Sequence, residues 1–126
     1  FVEPILRLAQ SRNTLSIIHD QYGSPTNTKD LAQAIRTISS FSQAGIFHIH
    51  NSGFTSWADF AAAIFEGSKL KCVVEPMSAD QYPLPVKRPP NGRLAMSRWE
   101  QELDLPLLPH WKESLQQYLQ ERSTQK

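Results

Sequence analysis

The sequence predicts an α/β fold with three or so short strands and flanking helices. Short runs rich in β-branched residues alternate with longer stretches in which apolar residues recur every three or four positions, and turn residues separate them. The length of 126 residues, with 40% hydrophobic and 20% charged residues, fits one globular domain with a modest core.

The first part of the chain predicts a helix, a strand and a second helix. Residues 1–12 have an amphipathic helical pattern, and residues 14–20 form a strand rich in β-branched residues. The second helix begins after Thr26 or Thr28, either of which can cap it, and ends at Ser39. Its apolar stripe has helical spacing and consists of Leu31, Ala34, Ile35 and Ile38.

The middle of the chain predicts a strand, a helix and a third strand. Residues 45–51 alternate in polarity, which is typical of a strand. A hydroxyl cap then begins a helix that ends near Gly67, and residues 71–77 are the third strand. The apolar face of this helix consists of Trp57, Phe60, Ala61, Ile64 and Phe65.

The last third of the chain predicts a surface loop followed by two helices. Five of the nine prolines lie between Pro76 and Pro90, so this segment is neither a regular helix nor an inner strand. Residues 97–105 are a candidate for a short helix. A longer one starts after Pro109 with an apolar face of Trp111, Leu115, Tyr118 and Leu119. Trp57 and Trp111 each begin an apolar stripe, so we expect both to be mostly buried.

Charge and cysteine content exclude several classes of protein. Thirteen basic and twelve acidic residues give a net charge of +1, so no nucleic-acid partner is predicted. The single Cys72 excludes an internal disulfide and predicts a small buried side chain in a reducing, cytoplasmic protein. No apolar run reaches the roughly 20 residues of a membrane helix, so no membrane partner is predicted.

Reductase and metal motifs are missing from the 126 residues. The glycines at positions 23, 45, 53, 67 and 92 form no G-x-G-x-x-G loop, and none of the three tyrosines is followed four residues later by lysine. The sequence therefore predicts no catalytic residue and no cofactor bound by this chain alone. His48 and His50 share one side of the predicted strand but lack a third ligand nearby, so no metal site is predicted.

The proline-rich segment is a better candidate for a binding site. It carries Tyr82, Lys87, Arg88, Asn91 and Arg93 among prolines that restrict the backbone and lower the cost of ordering a binding loop. The planar guanidinium of Arg88 can donate two hydrogen bonds to a diphosphate. A solvated basic loop is the alternative interpretation of the same residues.

Five motifs, in order, resemble the C-terminal portion of the dTDP-4-dehydrorhamnose reductase family, which belongs to the extended short-chain dehydrogenase/reductases. They are "FVEPILRLAQ", "DQYGSPTNTKDLAQAI", "GIFHIHNSGFTSWADFAAAIF", "YPLPVKRPPNGRLAMSRWEQEL" and "LPHWKESLQQYL". The resemblance implies that residues 1–126 are the C-terminal substrate-binding domain of a Rossmann-type reductase. The N-terminal half, with the glycine-rich loop and the catalytic Tyr and Lys, would be absent from this chain. A start without Met, inside an amphipathic pattern, fits that expectation.

The resemblance also implies a reaction and a binding site. The family reduces dTDP-4-dehydro-L-rhamnose to dTDP-L-rhamnose with NADPH, or sometimes NADH. The motif "DQYGSPT" would line the nucleotide-sugar cleft, with Gly23 permitting close backbone approach, and Arg88 in "KRPP" matches an arginine near the diphosphate. Gly92 and Ala95 depart from the family pattern, which often has Ser and Asp there. The predicted substrate-binding residues are Gln21, Gly23, Pro25, Thr26, Tyr82, Arg88 and Asn91.

Two other interpretations stay open at this point. One is a regulatory subunit resembling the reductase-like subunit of methionine adenosyltransferase, and the other is a non-enzymatic interaction module. The presence or absence of Tyr-x-x-x-Lys in a preceding Rossmann half would discriminate reductase from regulator. An isolated fragment would also expose apolar faces, which a homodimer of the fragment could cover.

Overall fold

The structure is a computed structural model that describes residues 1–82, 86 and 88–124. The helices in these residues are α1 (Val2–Ala9), α2 (Thr28–Ile38), α3 (Trp57–Gly67), α4 (Ser97–Gln101) and α5 (Trp111–Thr124), with one 3-10 turn at Ala79–Gln81. The strands are β1 (Thr14–Ile18), β2 (Tyr22–Gly23), β3 (Asn51–Ser52), β4 (Thr55–Ser56), β5 (Val73–Met77) and β6 (Leu108–His110). The predicted α/β class is confirmed.

The chain divides into two compact units. The first unit consists of Phe1–Gly23 and Thr55–Gly92, and the second unit consists of Ser24–Phe54 and Arg93–Lys126. Each unit therefore combines two separate stretches of sequence.

A parallel pair of strands and two helices form the first unit's core. β1 pairs with β5 in a register that places Thr14 opposite Val73 and Ile18 opposite Met77. α3 packs against both strands and against α1. The buried apolar side chains of this core are Ile5, Leu6, Leu15, Phe60, Ala61, Ile64 and Phe65. The first unit also contains the antiparallel pair of β2 and β4.

The second unit is organised around a different apolar cluster. Its strands β3 and β6 are parallel, with Asn51 opposite Leu108. The indole N–H of Trp99 donates to the Pro106 carbonyl over 2.8 Å, so the ring is buried without leaving its polar atom unpaired. The buried members of the cluster are Ala34, Met96, Trp99, Leu103 and Leu108.

The predicted strand over residues 45–51 is wrong. The strand here is only Asn51–Ser52. Phe47 and Ile49 do pack against the apolar cluster, while Ile46 is 78% exposed, so side chains alternate as the sequence indicates. Among the described residues, however, no strand pairs with residues 46–50, and alternation alone does not make a sheet.

Several local predictions also need correction. The N-cap of α2 is Asn27 rather than Thr26 or Thr28, because the Asn27 side chain accepts from the Lys29 N–H over 2.9 Å. Ile35 is 54% exposed and so lies outside the buried stripe of α2. Trp57 is mostly buried, as predicted, although 37% of its surface is exposed, and it contacts the Phe1 ring, with centroids 4.9 Å apart.

The predictions for the Ser56 cap, Trp111 and Cys72 are confirmed. Ser56 provides the hydroxyl cap of α3, accepting from the Asp59 N–H over 3.1 Å. Trp111 is buried. Cys72 is a buried free thiol, and burial raises its pKa, so the thiolate is disfavoured. Within the described residues, the helices are too short or too polar to cross a membrane.

Arg98 connects α4 to the segment that precedes β3. Its guanidinium donates to the carbonyl oxygens of Ala44 and Ile46 over 3.3 and 3.0 Å, and it lies 4.1 Å from the Phe47 ring centroid. The same group makes two 2.7 Å hydrogen bonds to the carboxylate of Glu102. Those bonds lower the pKa of Glu102.

We expect Glu102→Gln to lower the melting temperature at neutral pH and to have little effect in acid. Because the folded-state pKa is depressed, the carboxylate stabilises the fold above its unfolded-state pKa, and this stabilisation is lost as the pH falls through the folded-state pKa. Melting curves of both proteins between about pH 3 and 7 test this, since the unfolded-state pKa of Glu is about 4.3. Glu100→Gln, which changes an exposed acid of α4, is the control. A deficit that persists at the acid end would contradict the prediction.

Candidate functional site

The residues predicted to bind a ligand fall in both units. Pro25 and Thr26 lie in the second unit. The first unit contains Gln21, Gly23, Tyr82, Arg88 and Asn91.

In the first unit, the backbone of Tyr22 holds the end of the proline-rich segment. The Tyr22 N–H donates to the Pro90 carbonyl over 2.9 Å, and the Gly92 N–H donates to the Tyr22 carbonyl over 2.8 Å. Asn91 therefore lies beside Tyr22 in a parallel bridge. The structure thus brings Asn91 next to the segment that contains Gln21 and Gly23.

Asp20 holds the beginning of the same segment. Both carboxylate oxygens of Asp20 lie within hydrogen-bond distance of the Ala79 N–H, at 3.0 and 3.1 Å. The adjacent His19 N–H donates to the Met77 carbonyl over 3.0 Å, which continues the contact between β1 and β5. Residues just after β1 therefore anchor both ends of the proline-rich segment.

Three predicted site residues of this segment are accessible in the first unit. Tyr82 is 48% exposed, and Arg88 and Asn91 are also exposed. Gln21 is buried. Lys87, another basic residue of the predicted binding segment, lies outside the described residues.

In the second unit, hydrogen bonds hold the segment from Ser24 to Asn27, which we call the 24–27 loop, against residues 51–53. The Ser24 hydroxyl donates to the Gly53 carbonyl over 2.9 Å. The Thr26 hydroxyl donates to the Ser24 carbonyl over 3.0 Å and accepts from the Asn51 N–H over 3.3 Å. The Asn27 N–H donates to the Asn51 side-chain oxygen over 2.7 Å. Pro25 and Thr26 are therefore presented by a loop with defined contacts.

The other end of the Asn51 side chain faces a buried polar cluster. Its nitrogen donates to Asp30 over 2.7 Å and lies 3.0 Å from the Pro109 carbonyl and 3.1 Å from the Ser114 hydroxyl. Ser114 donates in turn to the same Asp30 oxygen over 2.5 Å. Asn51 itself is fully buried. Sequence reasoning assigned no role to Asn51. The only local sign of one is that this amide directly follows residues that alternate in polarity.

Gly53 is required by conformation and by space. Its φ is +81°, and a Cβ at this position would lie 2.2 Å from His110 Nε2 and 3.0 Å from Trp111 Cδ1. Gly23 differs, because it lies outside the positive-φ region and an added Cβ would meet no chain atom within 4 Å. The chain itself therefore leaves space beside Gly23.

His50 contributes to packing in the second unit. Its Nδ1 lies 2.8 Å from the Asn51 carbonyl oxygen and its Nε2 lies 3.0 Å from that of Leu94. The imidazole is 5.9 Å from the Phe54 ring centroid. In the part of the chain that the structure describes, no three His, Cys, Asp or Glu residues are grouped so that they could hold a metal ion.

Side chains of the chain itself occupy the N-termini of α2 and α3. Asn27 accepts from Lys29 at the first, and Ser56 accepts from Asp59 at the second. The carboxylate of Asp59 also accepts from the Ser56 hydroxyl over 2.6 Å, which places negative charge at the start of α3. An anion would have to compete with these caps for the same donors.

Comparison with known proteins finds relatives along almost the whole chain. The family model described as RmlD substrate binding domain matches residues 1–124. The spore coat polysaccharide biosynthesis protein SpsK of Bacillus subtilis is 42% identical over 125 residues, covering 98% of this chain and 43% of that protein. The dTDP-4-dehydrorhamnose reductase of Salmonella typhimurium is 35% identical over 135 aligned positions, with 98% of this chain and 45% of that enzyme covered.

Solved structures give the same result. A dTDP-4-dehydrorhamnose reductase from Clostridium acetobutylicum superposes with a TM-score of 0.90 at 33% identity, covering 98% of this chain and 44% of that one. The enzyme from Bacillus anthracis, solved in complex with NADP, gives a TM-score of 0.87 at 30% identity, with 95% and 42% covered. The chain thus spans less than half the length of these relatives.

The two glycines should respond differently to alanine. We expect Gly53→Ala to destabilise the fold by about 1 to 3 kcal/mol, because a positive φ and the His110 ring both oppose a Cβ. Gly23→Ala should leave stability unchanged or raise it slightly, since neither obstacle exists there. Urea unfolding of the two variants measures the difference. Equal losses for both would refute this account of Gly53.

Proposed function

The chain belongs to the RmlD substrate-binding domain family, and we propose that it is the substrate-binding part of a dTDP-4-dehydrorhamnose reductase. The family match over residues 1–124 carries this proposal. The likeness to solved reductases at TM-scores of 0.87 and 0.90 supports it.

The proposed reaction reduces the 4-keto group of dTDP-4-dehydro-L-rhamnose to give dTDP-L-rhamnose. A nicotinamide cofactor supplies the hydride for such a reduction. The part played by this chain is to bind and orient the sugar nucleotide. A product destined for surface polysaccharide is consistent with the relative named for spore coat polysaccharide biosynthesis.

We place the cofactor site and the catalytic Tyr and Lys in the remainder of the protein. The 126 residues contain neither a G-x-G-x-x-G loop nor a Tyr-x-x-x-Lys pair. The N-termini of α2 and α3 are also already capped, and Asp59 makes the second one unfavourable for a phosphate. The residues of this chain therefore do not fit the role of a cofactor-binding site. NADPH is the proposed cofactor of the complete protein, in line with the NADP-bound relative.

Arg88 is the proposed contact for the substrate diphosphate. It is exposed, and the backbone that follows it is held by the hydrogen bonds between Tyr22 and residues 90–92. Its guanidinium can donate two parallel hydrogen bonds to phosphate oxygens. Tyr82 and Asn91 are proposed as further contacts from the same segment, and the space beside Gly23 would allow a ligand to approach the backbone.

Turnover by the complete protein tests the proposed function. We expect it to oxidise NADPH only when dTDP-4-dehydro-L-rhamnose is present, with formation of dTDP-L-rhamnose. The 126-residue chain alone should show no turnover. An inactive complete protein would refute the reductase proposal and favour a regulatory or binding role. Activity of the isolated chain would refute the location of the cofactor site.

Replacing Arg88 by lysine in the complete protein should raise the KM for the sugar nucleotide and leave the KM for NADPH nearly unchanged. Lysine keeps the charge but removes the planar fork, which should cost about 1 to 3 kcal/mol of binding. The control is Arg36→Lys, which alters an exposed arginine in the last turn of α2. An unchanged KM for the sugar nucleotide at low and moderate salt would show that Arg88 is not the diphosphate contact.

A further inference from the structure

We propose that Asn51 is a positioning residue for substrate binding, which acts by holding the 24–27 loop in one conformation. This inference rests on the proposed function, because the family resemblance predicts Pro25 and Thr26 of that loop as substrate contacts. Asn51 itself is fully buried, so its effect on a substrate would be transmitted through the loop.

Two groups of Asn51 contact the loop directly. The side-chain oxygen accepts from the Asn27 N–H over 2.7 Å, and the backbone N–H donates to the Thr26 hydroxyl over 3.3 Å. The Thr26 hydroxyl then donates to the Ser24 carbonyl over 3.0 Å. This chain of hydrogen bonds fixes the orientation of the Thr26 side chain and the position of the peptide that follows it.

The nitrogen of the same amide is fixed on the opposite side. It donates to Asp30 over 2.7 Å, and Ser114 donates to that same carboxylate oxygen. Asp30 belongs to α2, and the Pro109 carbonyl, 3.0 Å from the same nitrogen, belongs to β6. These two acceptors match the two hydrogens of the amide nitrogen, so they hold the amide in one orientation without the Ser114 hydroxyl.

Burial makes these hydrogen bonds difficult to replace. Removing the Asn51 side chain would deprive the Asn27 N–H of its acceptor in a part-buried site, and an unpaired polar group of this kind is costly. A shift of the loop that lets this N–H reach water is the expected response. Such a shift would move Thr26 away from its position in the intact protein.

Ser114→Ala is a matched control for Asn51→Ala. It removes a hydroxyl that contacts Asp30 and Asn51 in the same buried cluster. It leaves the Asn51 oxygen on Asn27 and the Asn51 N–H on Thr26. Both variants should therefore lose stability, while only Asn51→Ala should release the loop.

The experiment measures steady-state kinetics of the complete protein with dTDP-4-dehydro-L-rhamnose and NADPH. We expect Asn51→Ala to raise the KM for the sugar nucleotide on the order of tenfold with little change in kcat, as for loss of uniform binding. Ser114→Ala should keep the wild-type KM. If Asn51→Ala fails to fold, Asn51→Ser replaces it, since the shorter side chain does not span from Asp30 to Asn27. A wild-type KM in the Asn51 variant, or an equal rise in the Ser114 variant, would overturn the proposal.

Amide hydrogen exchange at Asn27, measured without substrate, separates this inference from the proposed function. Exchange should be faster in the Asn51 variant than in the wild-type and Ser114→Ala proteins. Unchanged exchange would overturn the inference even if the enzyme is a reductase. If exchange is faster in the Asn51 variant but the complete wild-type protein shows no turnover, Asn51 controls the loop and its role in substrate binding is refuted.

Discussion

A buried side-chain amide must find its hydrogen-bond partners inside the protein, and Asn51 finds them in three directions. Leaving one such group unpaired costs about 1 to 3 kcal/mol, a large part of the stability of a small domain. The 24–27 loop, the start of α2 and the first turn of α5 must therefore lie where the amide can reach them. The same arrangement requires a glycine at position 53. Two residues after Asn51, the backbone has a positive φ, and the His110 ring leaves no room for a Cβ. The apolar cluster of the second unit then fills the space next to these fixed elements.

The two candidate loops are held by different chemistry. Backbone groups of Tyr22 fix the segment at 90–92. This contact therefore depends little on which side chain stands at position 22. Side chains of Ser24, Thr26 and Asn51 fix the 24–27 loop. These contacts therefore depend strongly on the residue type at those three positions. The contact with residues 90–92 therefore tolerates substitution of Tyr22, whereas the conformation of the 24–27 loop requires these particular side chains.

Sequence reasoning succeeded where the signal is local. The helical spacing of Phe60, Ala61 and Ile64 and the hydroxyl of Ser56 predict α3, and the β-branched runs predict β1 and β5. It failed at residues 45–51, because alternation reports the direction of side chains while pairing depends on a distant strand. The role of Asn51 was also not predictable, since its side-chain partners Asp30, Pro109 and Ser114 lie 21, 58 and 63 residues away. For the site, resemblance to a family supplied Arg88 and its neighbours, and their contacts with a ligand stay predictions.

The anchors at Asp20 and Tyr22 have an evolutionary consequence. Ala79 and Pro90 are held by residues only two positions apart, so the two anchor points lie close together in the first unit. Where two such points are joined by a closed loop, each doubling of the loop length costs only about 0.6 kcal/mol. Insertions and deletions between the two anchors are therefore thermodynamically cheap. A lineage could exchange this stretch for one of another length and composition while β1 and β5 keep their pairing.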